Sequence, residues 1–425
     1  MSRAVKLHNF VPLAALQPTH AALRAADLWW LQPSLIVLLA VLPIYLGVLA
    51  YDFSHVVQNA YVPSLFFAFG VVLILALAVG AQWALAHRVQ GPTLMPPQIS
   101  TAAMMVLLLP TLAAYAVWFG PLMLRPELLM EIALGQRREV RDSISTIPGV
   151  TTFTQLGVAY AIAYAIKSGA AVQKVSAAER IGFALVIALA TFRAYAWAER
   201  LAVIEILVCY VIARMAYLPL TGTRLRRAAD IVPAIGPFVL YLLFTASEYF
   251  RSWEFYVNQY SSVWAFTLDR LITYYATAVN NGIGILVETA DWPHYSGAFV
   301  VDWLYIMPGV SKLFEDAFGN PRDVTALFIN TYLRPEFNSP TAFFRIVFDF
   351  GFLGSVLYCL AVGYVVGRAY IGFRRGHIFG LLTYPVCVLF LIESLRYSYL
   401  GETRIVPLAV GLGIIGLDMR RGRRA

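Results

Sequence analysis

Charged residues are scarce in this sequence of 425 residues, of which Asp, Glu, Lys and Arg make up only 13%. A soluble domain usually carries roughly a quarter. The deficit comes from repeated apolar runs of about 20 residues, the length that crosses a bilayer core. The sequence therefore predicts an all-α, polytopic integral membrane protein and excludes an ordinary soluble domain.

The sequence also lacks the usual signatures of cofactor and metal chemistry. Its three cysteines, Cys209, Cys359 and Cys387, lie in apolar runs and form neither a disulfide framework nor a metal pattern. There is no P-loop, dinucleotide fingerprint, Asp-x-Asp pair or serine elbow. We expect no metal and no cofactor. The net charge of +8 lies largely in short loops between apolar runs, so it indicates membrane orientation and not a nucleic-acid partner.

Hydropathy predicts about ten membrane spans within a single integral domain. Residues 1–33 are expected to be a cytosolic leader and not a signal peptide, and residues 418–425 a basic cytosolic tail. In the eighth span, the spacing of Gly363 and Gly367 predicts close helix packing. The predicted spans are residues 34–51, 61–86, 102–124, 152–167, 181–198, 201–217, 231–247, 342–371, 378–395 and 405–417.

A long mixed segment, residues 248–341, separates the seventh and eighth spans, and loops of this length are usually functional. Within it, Val263–Glu288 has helical spacing but carries polar groups. We predict an interfacial or re-entrant helix pair there rather than a span. The segment also contains His294, a candidate base, although a lone loop histidine is more often simply solvated.

Arginine is distributed against the expected orientation bias. Lysine- and arginine-rich loops alternate through the spans and mark one side as cytosolic. The opposite side should be poor in arginine. Arginine suits phosphate because its planar fork donates two hydrogen bonds and stays charged, so an anionic ligand is indicated. The alternative is ion pairing with nearby carboxylates and contact with lipid headgroups. The outer arginines are Arg125, Arg137, Arg138, Arg141, Arg193, Arg200, Arg251, Arg270, Arg322, Arg334, Arg345, Arg396 and Arg404.

The stretch Asn330–Gly354 concentrates this chemistry. It begins with polar residues between two prolines and continues into an apolar helix that carries Arg345 and Asp349. These two residues are four apart and share a helical face. Ionised groups at a membrane entry tend to mark a pathway or a site, but the two could also be a simple ion pair at a helix end.

Carboxylates and arginines on one face fit group transfer from a lipid-linked diphosphate. Fixed arginines would stabilise the charge that develops on the leaving diphosphate. A carboxylate or histidine would take the proton from the attacking hydroxyl. Composition alone does not separate this reading from a transporter that binds an anion.

Five segments between Ile147 and Arg404 together resemble the Wzy-type polymerases of bacterial O-antigen and exopolysaccharide repeat units. They are IPGVTTFTQLG at 147–157, FRAYAWAERLAVIE at 192–205, YYATAVNNG at 274–282, RPEFNSPTAFFRIVFDFGFLG at 334–354 and ESLRYSYLGETR at 393–404. Their order, on the outer side of a ten-span topology, makes the similarity fairly specific.

The resemblance implies a GT-C-like glycosyltransferase of the bacterial inner membrane with one long periplasmic loop and a periplasmic active site. Such enzymes join undecaprenyl-diphosphate-linked oligosaccharides without a metal. The growing chain leaves its carrier for the non-reducing end of the next unit. Membrane lipids, a chain-length regulator and a flippase are expected as further partners.

The resemblance also assigns candidate roles to individual residues. Glu336 is the first choice for the general base, followed by Glu199 and then by Glu402 or His294. Glu199 could instead form a structural pair with Arg200. The diphosphate clamp is expected among Arg193, Arg200, Arg345 and Arg404, with further substrate contacts from Arg270, Arg334, Asn338, Asp349 and Arg396.

Three other functions remain open. An O-antigen ligase would transfer the glycan to a lipid A core with a loop histidine as base, for which this chain offers only His294 in its long loop. A transporter or flippase of lipid-linked sugars would place ionisable residues near the middle of several spans and would show internal repeats. A non-catalytic scaffold would tolerate replacement of the outer arginines and carboxylates one by one.

Overall fold

The computed structural model describes residues 24–87, 98–133, 147, 149–170, 173–197, 199–220, 223–289, 292–307, 309–319, 322–333 and 335–422. Throughout this part the regular elements are helices. In chain order they are α1 Pro33–Ala50, α2 Leu65–Ala86, α3 Thr101–Leu124, α4 Pro126–Ala133, α5 Leu156–Ala170, α6 Ala177–Ala196, α7 Leu201–Met215, α8 Thr223–Arg251, α9 Val263–Glu288, α10 Ser311–Phe318, α11 Arg322–Tyr332, α12 Ala342–Arg375, α13 Ile378–Glu393 and α14 Ile405–Arg421.

Five of the described helices, α1, α2, α3, α8 and α12, are long and apolar enough to cross a membrane. The all-helical membrane character predicted from the sequence is therefore confirmed. The other five predicted spans coincide with α5, α6, α7, α13 and α14, which are shorter or less apolar.

The predicted helix pair at Val263–Glu288 is a single helix, α9. Its first turn is capped by Ser262, whose hydroxyl accepts a hydrogen bond from the backbone N–H of Ala265. Much of its second half is buried, including Asn280 and Asn281. The amide of Asn280 accepts from the N–H of Tyr61 and donates to the carbonyl of Asn59, which satisfies it without a break in the helix. Polar residues that suggested a break are thus side-chain anchors of an unbroken helix.

The helices α2 and α12 approach each other at glycines. A Cβ at Gly363 would collide with the carbonyl of Leu77, and one at Gly80 with the carbonyl of Leu360. At Gly367, a Cβ would lie 2.6 Å from the carbonyl oxygen of Ala81. Such small residues let helix backbones pack closely inside a membrane. The close packing predicted from Gly363 and Gly367 is confirmed.

Polar contacts divide the bundle into two ends. At one end, the Arg374 guanidinium pairs with Asp27, and the Ser100 hydroxyl donates to Asp418. The Lys167–Glu179 pair is formed between residues of the predicted cytosolic loop that links α5 to α6. At the other end, the Arg200–Glu248 pair joins the turn after α6 to the end of α8, and the Arg404–Glu205 pair joins the turn before α14 to α7. Loops predicted to share a side therefore meet in the structure.

Candidate functional site

Glu248 lies at the centre of a group of arginines. Its side chain is fully buried in the last turn of α8. Oε1 lies 2.5 Å from Nη2 of Arg200, just before α7, and 3.4 Å from Nη1 of Arg251, at the end of α8. Oε2 lies 2.9 Å from Nε of Arg270 in α9, in an ion pair without the alignment of a hydrogen bond. Three guanidinium groups thus share one carboxylate.

Two of these arginines and Arg396 surround the ring of Tyr274. The guanidinium carbons of Arg200 and Arg270 each lie 5.8 Å from the ring centroid, and that of Arg396 lies 5.4 Å away. Arg251 donates from Nη1 to the Tyr274 hydroxyl over 3.3 Å. Aromatic faces attract cations, which favours this arrangement. We call Arg200, Arg251, Arg270 and Arg396 the arginine cluster.

The four guanidinium groups of the arginine cluster face three carboxylates, Glu248, Glu336 and Glu393, which leaves one net positive charge. Burial lowers the pKa of the Arg200 guanidinium below its usual value, and the nearby charges of Arg251 and Arg396 add to this effect against the opposing effect of Glu248. Like charges at close range disfavour each other's ionised forms. A further anion near the cluster would relieve this repulsion.

Glu336 borders the arginine cluster and faces solvent. It lies in the 3-10 turn Pro335–Phe337, which Asn281 fixes by donating to the carbonyl of Phe337 over 2.7 Å. Its Oε2 accepts from Nη2 of Arg270 at 2.9 Å and from the Tyr256 hydroxyl at 3.3 Å. The side chain remains 47% exposed. A fixed but accessible carboxylate beside a guanidinium can accept a proton from a bound hydroxyl.

A second group of ion pairs lies around the turn before α14. Arg404 Nη1 lies 2.6 Å from Oε1 of the buried Glu205, and Arg345 Nη1 lies 3.4 Å from Oε1 of Glu402. Arg396, of the arginine cluster, pairs with Glu393 at 3.4 Å in the same region. The segment between α13 and α14 therefore connects the two groups of charges.

Several buried polar atoms of the second group have no hydrogen-bond partner among the described residues. They are Oε2 of Glu205, Nε of Arg345 and the hydroxyls of Tyr397 and Tyr399. Burial first, and then the charge of Glu393, raises the pKa of Tyr397, so this hydroxyl stays protonated as a donor. Buried polar atoms usually have a partner, so these atoms are suited to bind a polar ligand or water.

Arg193 contacts a separate set of side chains, outside the two groups of charges. It pairs with Glu199 at 2.5 Å and donates from Nη1 to the Thr154 hydroxyl over 3.2 Å. Its guanidinium carbon lies 3.7 Å from the ring centroid of Trp118. Glu199 thus pairs with Arg193, whereas Arg200 pairs with Glu248. The structural pair considered between Glu199 and Arg200 is replaced by these two pairs.

Asp349 lies at a break in α12 and holds a loop of the long segment. Gly351 interrupts the helix with a φ of 66°. The fully buried carboxylate of Asp349 accepts from the backbone N–H groups of Phe299 at 2.9 Å and Val300 at 3.0 Å, and from the Ser296 hydroxyl at 3.3 Å. Among the described ion pairs, Arg345 joins Glu402 and not Asp349. The ion pair between Arg345 and Asp349 that the sequence suggested is therefore replaced by separate partners for the two residues.

His294 lies in the same loop, close to the break in α12. Its backbone N–H donates to the carbonyl of Phe348 over 3.1 Å, and its ring centroid lies 4.6 Å from that of Phe348. The neighbouring N–H of Tyr295 donates to the carbonyl of Asp349 over 2.8 Å. These bonds join the loop to the helix on which Arg345 and Asp349 lie.

The structure brings most of the predicted residues to one end of the bundle. The first group contains Arg200, Arg270, Arg396 and Glu336, and the second contains Arg345, Glu402 and Arg404. Asn338 is exposed just beyond the turn of Glu336, and Arg334 lies outside the described residues. Among the described residues, no group of three His, Cys, Asp or Glu side chains could hold a metal ion.

Sequence reasoning missed the buried carboxylates Glu205 and Glu248 and the ring of Tyr274. An ionisable residue inside an apolar run is itself a signal, because its burial needs a partner. Glu205 lies in such a run, within LAVIEILV at 201–208, and Glu248 ends another.

Comparison of the chain with protein-family models, with curated proteins and with solved structures finds no match.

Proposed function

We propose that this protein is a glycosyltransferase that polymerises undecaprenyl-diphosphate-linked oligosaccharide repeat units at the periplasmic face of the bacterial inner membrane, without a metal. The proposal includes the ten membrane spans predicted from hydropathy. It also includes the GT-C-like architecture that the sequence resemblance implies. The product would be O-antigen or exopolysaccharide.

The observation that supports this function best is the sharing of Arg270 between two carboxylates with different surroundings. Its Nε faces the buried Glu248, and its Nη2 binds the half-exposed Glu336. One guanidinium thus connects a site of excess positive charge to an accessible base. Transfer from a lipid diphosphate needs these two functions side by side.

In the proposed reaction, an acceptor sugar hydroxyl forms a bond to the anomeric carbon of the donor glycan. The proton of that hydroxyl passes to the carboxylate of Glu336. The bond between the anomeric carbon and the diphosphate oxygen breaks, and its electron pair leaves with the diphosphate. The arginine cluster stabilises this charge in a site partly shielded from water, where fixed donors act most strongly.

The aromatic side chains around the cluster suit a glycan. Tyr256 and Phe337 both lie beside Arg270, with their ring centroids 5.6 Å and 5.3 Å from its guanidinium carbon. Tyr256 also donates to Glu336. Both flat rings can contact a sugar face, and the Tyr256 hydroxyl can also form a hydrogen bond. They would orient the acceptor toward Glu336.

The test is an assay with purified protein in detergent, a synthetic undecaprenyl-diphosphate repeat unit and EDTA, with products separated on a gel. We expect a ladder of longer glycans that is lost in Glu336→Gln. Glu315→Gln, an exposed glutamate on α10, is the matched control and should retain the ladder.

Other outcomes of the same assay would replace the proposal. A single transfer to a lipid A core acceptor would identify a ligase. Saturable binding of the lipid diphosphate without any product would favour a transporter or flippase. Neither product nor binding, with every donor tried, would leave a scaffold.

A further inference from the structure

The carboxylate of Glu248 lies where an anionic ligand of the arginine cluster would bind. It is fully buried, and both of its oxygens face guanidinium groups. Two of these, on Arg200 and Arg270, belong to other parts of the fold, and Arg251 belongs to the same helix as Glu248. An internal carboxylate therefore occupies the space between three guanidinium groups.

The helix that carries Glu248 is the least packed of the long apolar helices. Only 6% of the most apolar stretch of α8 is buried inside the protein. The corresponding share is 33–50% for α1, α2, α3 and α12. Pro233 and Pro237 lie inside it, and a Cβ on Gly236 would meet no atom within 4 Å. Prolines within a helix remove backbone hydrogen bonds and are a common cause of kinks.

A few polar contacts attach α8 to the rest of the bundle. Near its start, Trp30 donates from Nε1 to the carbonyl of Ala229 over 3.0 Å. Near its end, the Tyr241 hydroxyl donates to the carbonyl of Trp264 over 2.7 Å, and the hydroxyls of Thr245 and Thr267 are 2.9 Å apart. Apart from the ion pairs of Glu248, the few contacts and the small buried apolar surface of α8 allow it to move at small cost.

We propose that Glu248 is a built-in counter-ion that the substrate diphosphate replaces, and that α8 moves away from α9 to withdraw it. This inference rests on the proposed function for the identity of the anion. Withdrawal of Glu248 alone would leave Arg200 and Arg270 without their shared partner, which is costly for buried charges. A diphosphate that takes its place removes that cost, so binding and movement are coupled.

A disulfide between α8 and α9 tests the movement directly. Thr245→Cys and Thr267→Cys are combined in a background in which Cys209, Cys359 and Cys387 are alanine. The hydroxyls they replace are 2.9 Å apart, so the two sulfurs would face each other at close range. Inorganic pyrophosphate, without metal, is the probe, and its binding is measured by calorimetry before and after oxidation. Thr245→Cys alone, treated with the same oxidant, is the control.

We expect oxidation to weaken pyrophosphate binding by roughly tenfold or more, within the range typical of coupled sites, and reduction to restore it. Adding Glu248→Ala to the oxidised double-cysteine protein should restore binding without reduction, because the internal carboxylate is gone. Equal affinity of the oxidised and reduced proteins would overturn the inference.

The glycan assay separates this inference from the proposed function. A ladder that forms equally in the oxidised and reduced proteins would keep the polymerase and reject the movement of α8. Pyrophosphate binding that depends on the disulfide, in a protein that makes no ladder, would keep the movement and reject the polymerase.

Discussion

Arg404 and Glu205 form an ion pair with 2.6 Å between Nη1 and Oε1, although they are 199 positions apart in the sequence. Glu205 is fully buried in α7, and Arg404 immediately precedes α14. The pair therefore fixes the segment between α13 and α14, which contains Arg396 and Glu402, against the start of α7.

Removal of Glu205 should destabilise the fold. In Glu205→Ala the charge of Arg404 loses its partner. For a buried pair, this lowers the free energy of unfolding by roughly 3–5 kcal/mol. We expect the lower part of that range because Arg404 is 30% exposed. Glu205→Gln keeps one hydrogen bond and should lose less. Thermal unfolding in detergent measures both. An unfolding temperature of Glu205→Ala equal to that of Glu315→Ala, an exposed control, would contradict the role of the pair.

Arg270 should be intolerant even of lysine. It contacts Glu248 and Glu336 with two different nitrogens of one planar group, and a lysine ammonium cannot reproduce that fork. We expect Arg270→Lys to reduce polymer formation by about 10²-fold or more, in line with loss of a fixed electrostatic donor. The rate of glycan elongation is the measurement, with the exposed Arg226→Lys as control. Near-normal elongation by Arg270→Lys would place the chemistry elsewhere.

Asp349 should control the mobility of the loop at residues 292–301. In Asp349→Asn, the oxygen that accepts from the N–H groups of Phe299 and Val300 is no longer charged, and hydrogen bonds to a neutral acceptor are weaker by about 1 kcal/mol. Hydrogen exchange should rise in this loop and remain unchanged in α5. The matched change Asp316→Asn, at an exposed position on α10, should leave both regions as they were. Uniform exchange throughout the Asp349→Asn protein would instead indicate global unfolding.

The positions of the helices could be predicted because apolar length is a local property of the sequence. Each predicted span falls on a helix, and Gly363 and Gly367 correctly indicated a close helix contact. At Val263–Glu288, polar residues suggested a break, but Asn280 and Asn281 find partners in neighbouring segments and the helix continues. Local polarity could not reveal those partners.

The pairing of charges could not be predicted, because it depends on contacts between distant segments. The sequence placed Arg200, Arg270 and Glu336 among the candidates, yet it did not reveal that Glu248 lies between the first two. Asp349 and Arg345 share a helical face, but the carboxylate turns toward the N–H groups of another segment. Neighbours along a helix are fixed by spacing, whereas their partners are fixed by the fold.

The contact between α2 and α12 yields a prediction with an internal control. An alanine Cβ at Gly363 would collide with the carbonyl of Leu77, which is backbone and cannot move aside without separating the helices. Gly413, in α14, has open space around the same position. Both residues are helical glycines, so the intrinsic gain in helix propensity from alanine is about 1 kcal/mol in each case.

We therefore expect the two substitutions to act in opposite directions. Gly413→Ala should leave the unfolding temperature in detergent unchanged or raise it. Gly363→Ala should lower it, because overpacking typically costs about 1–3 kcal/mol, which exceeds the gain in propensity. Since α12 also carries Arg345 and Asp349 near its start, Gly363→Ala should reduce glycan elongation as well. If both variants were equally stable, the close approach of α2 and α12 would not be needed for the fold.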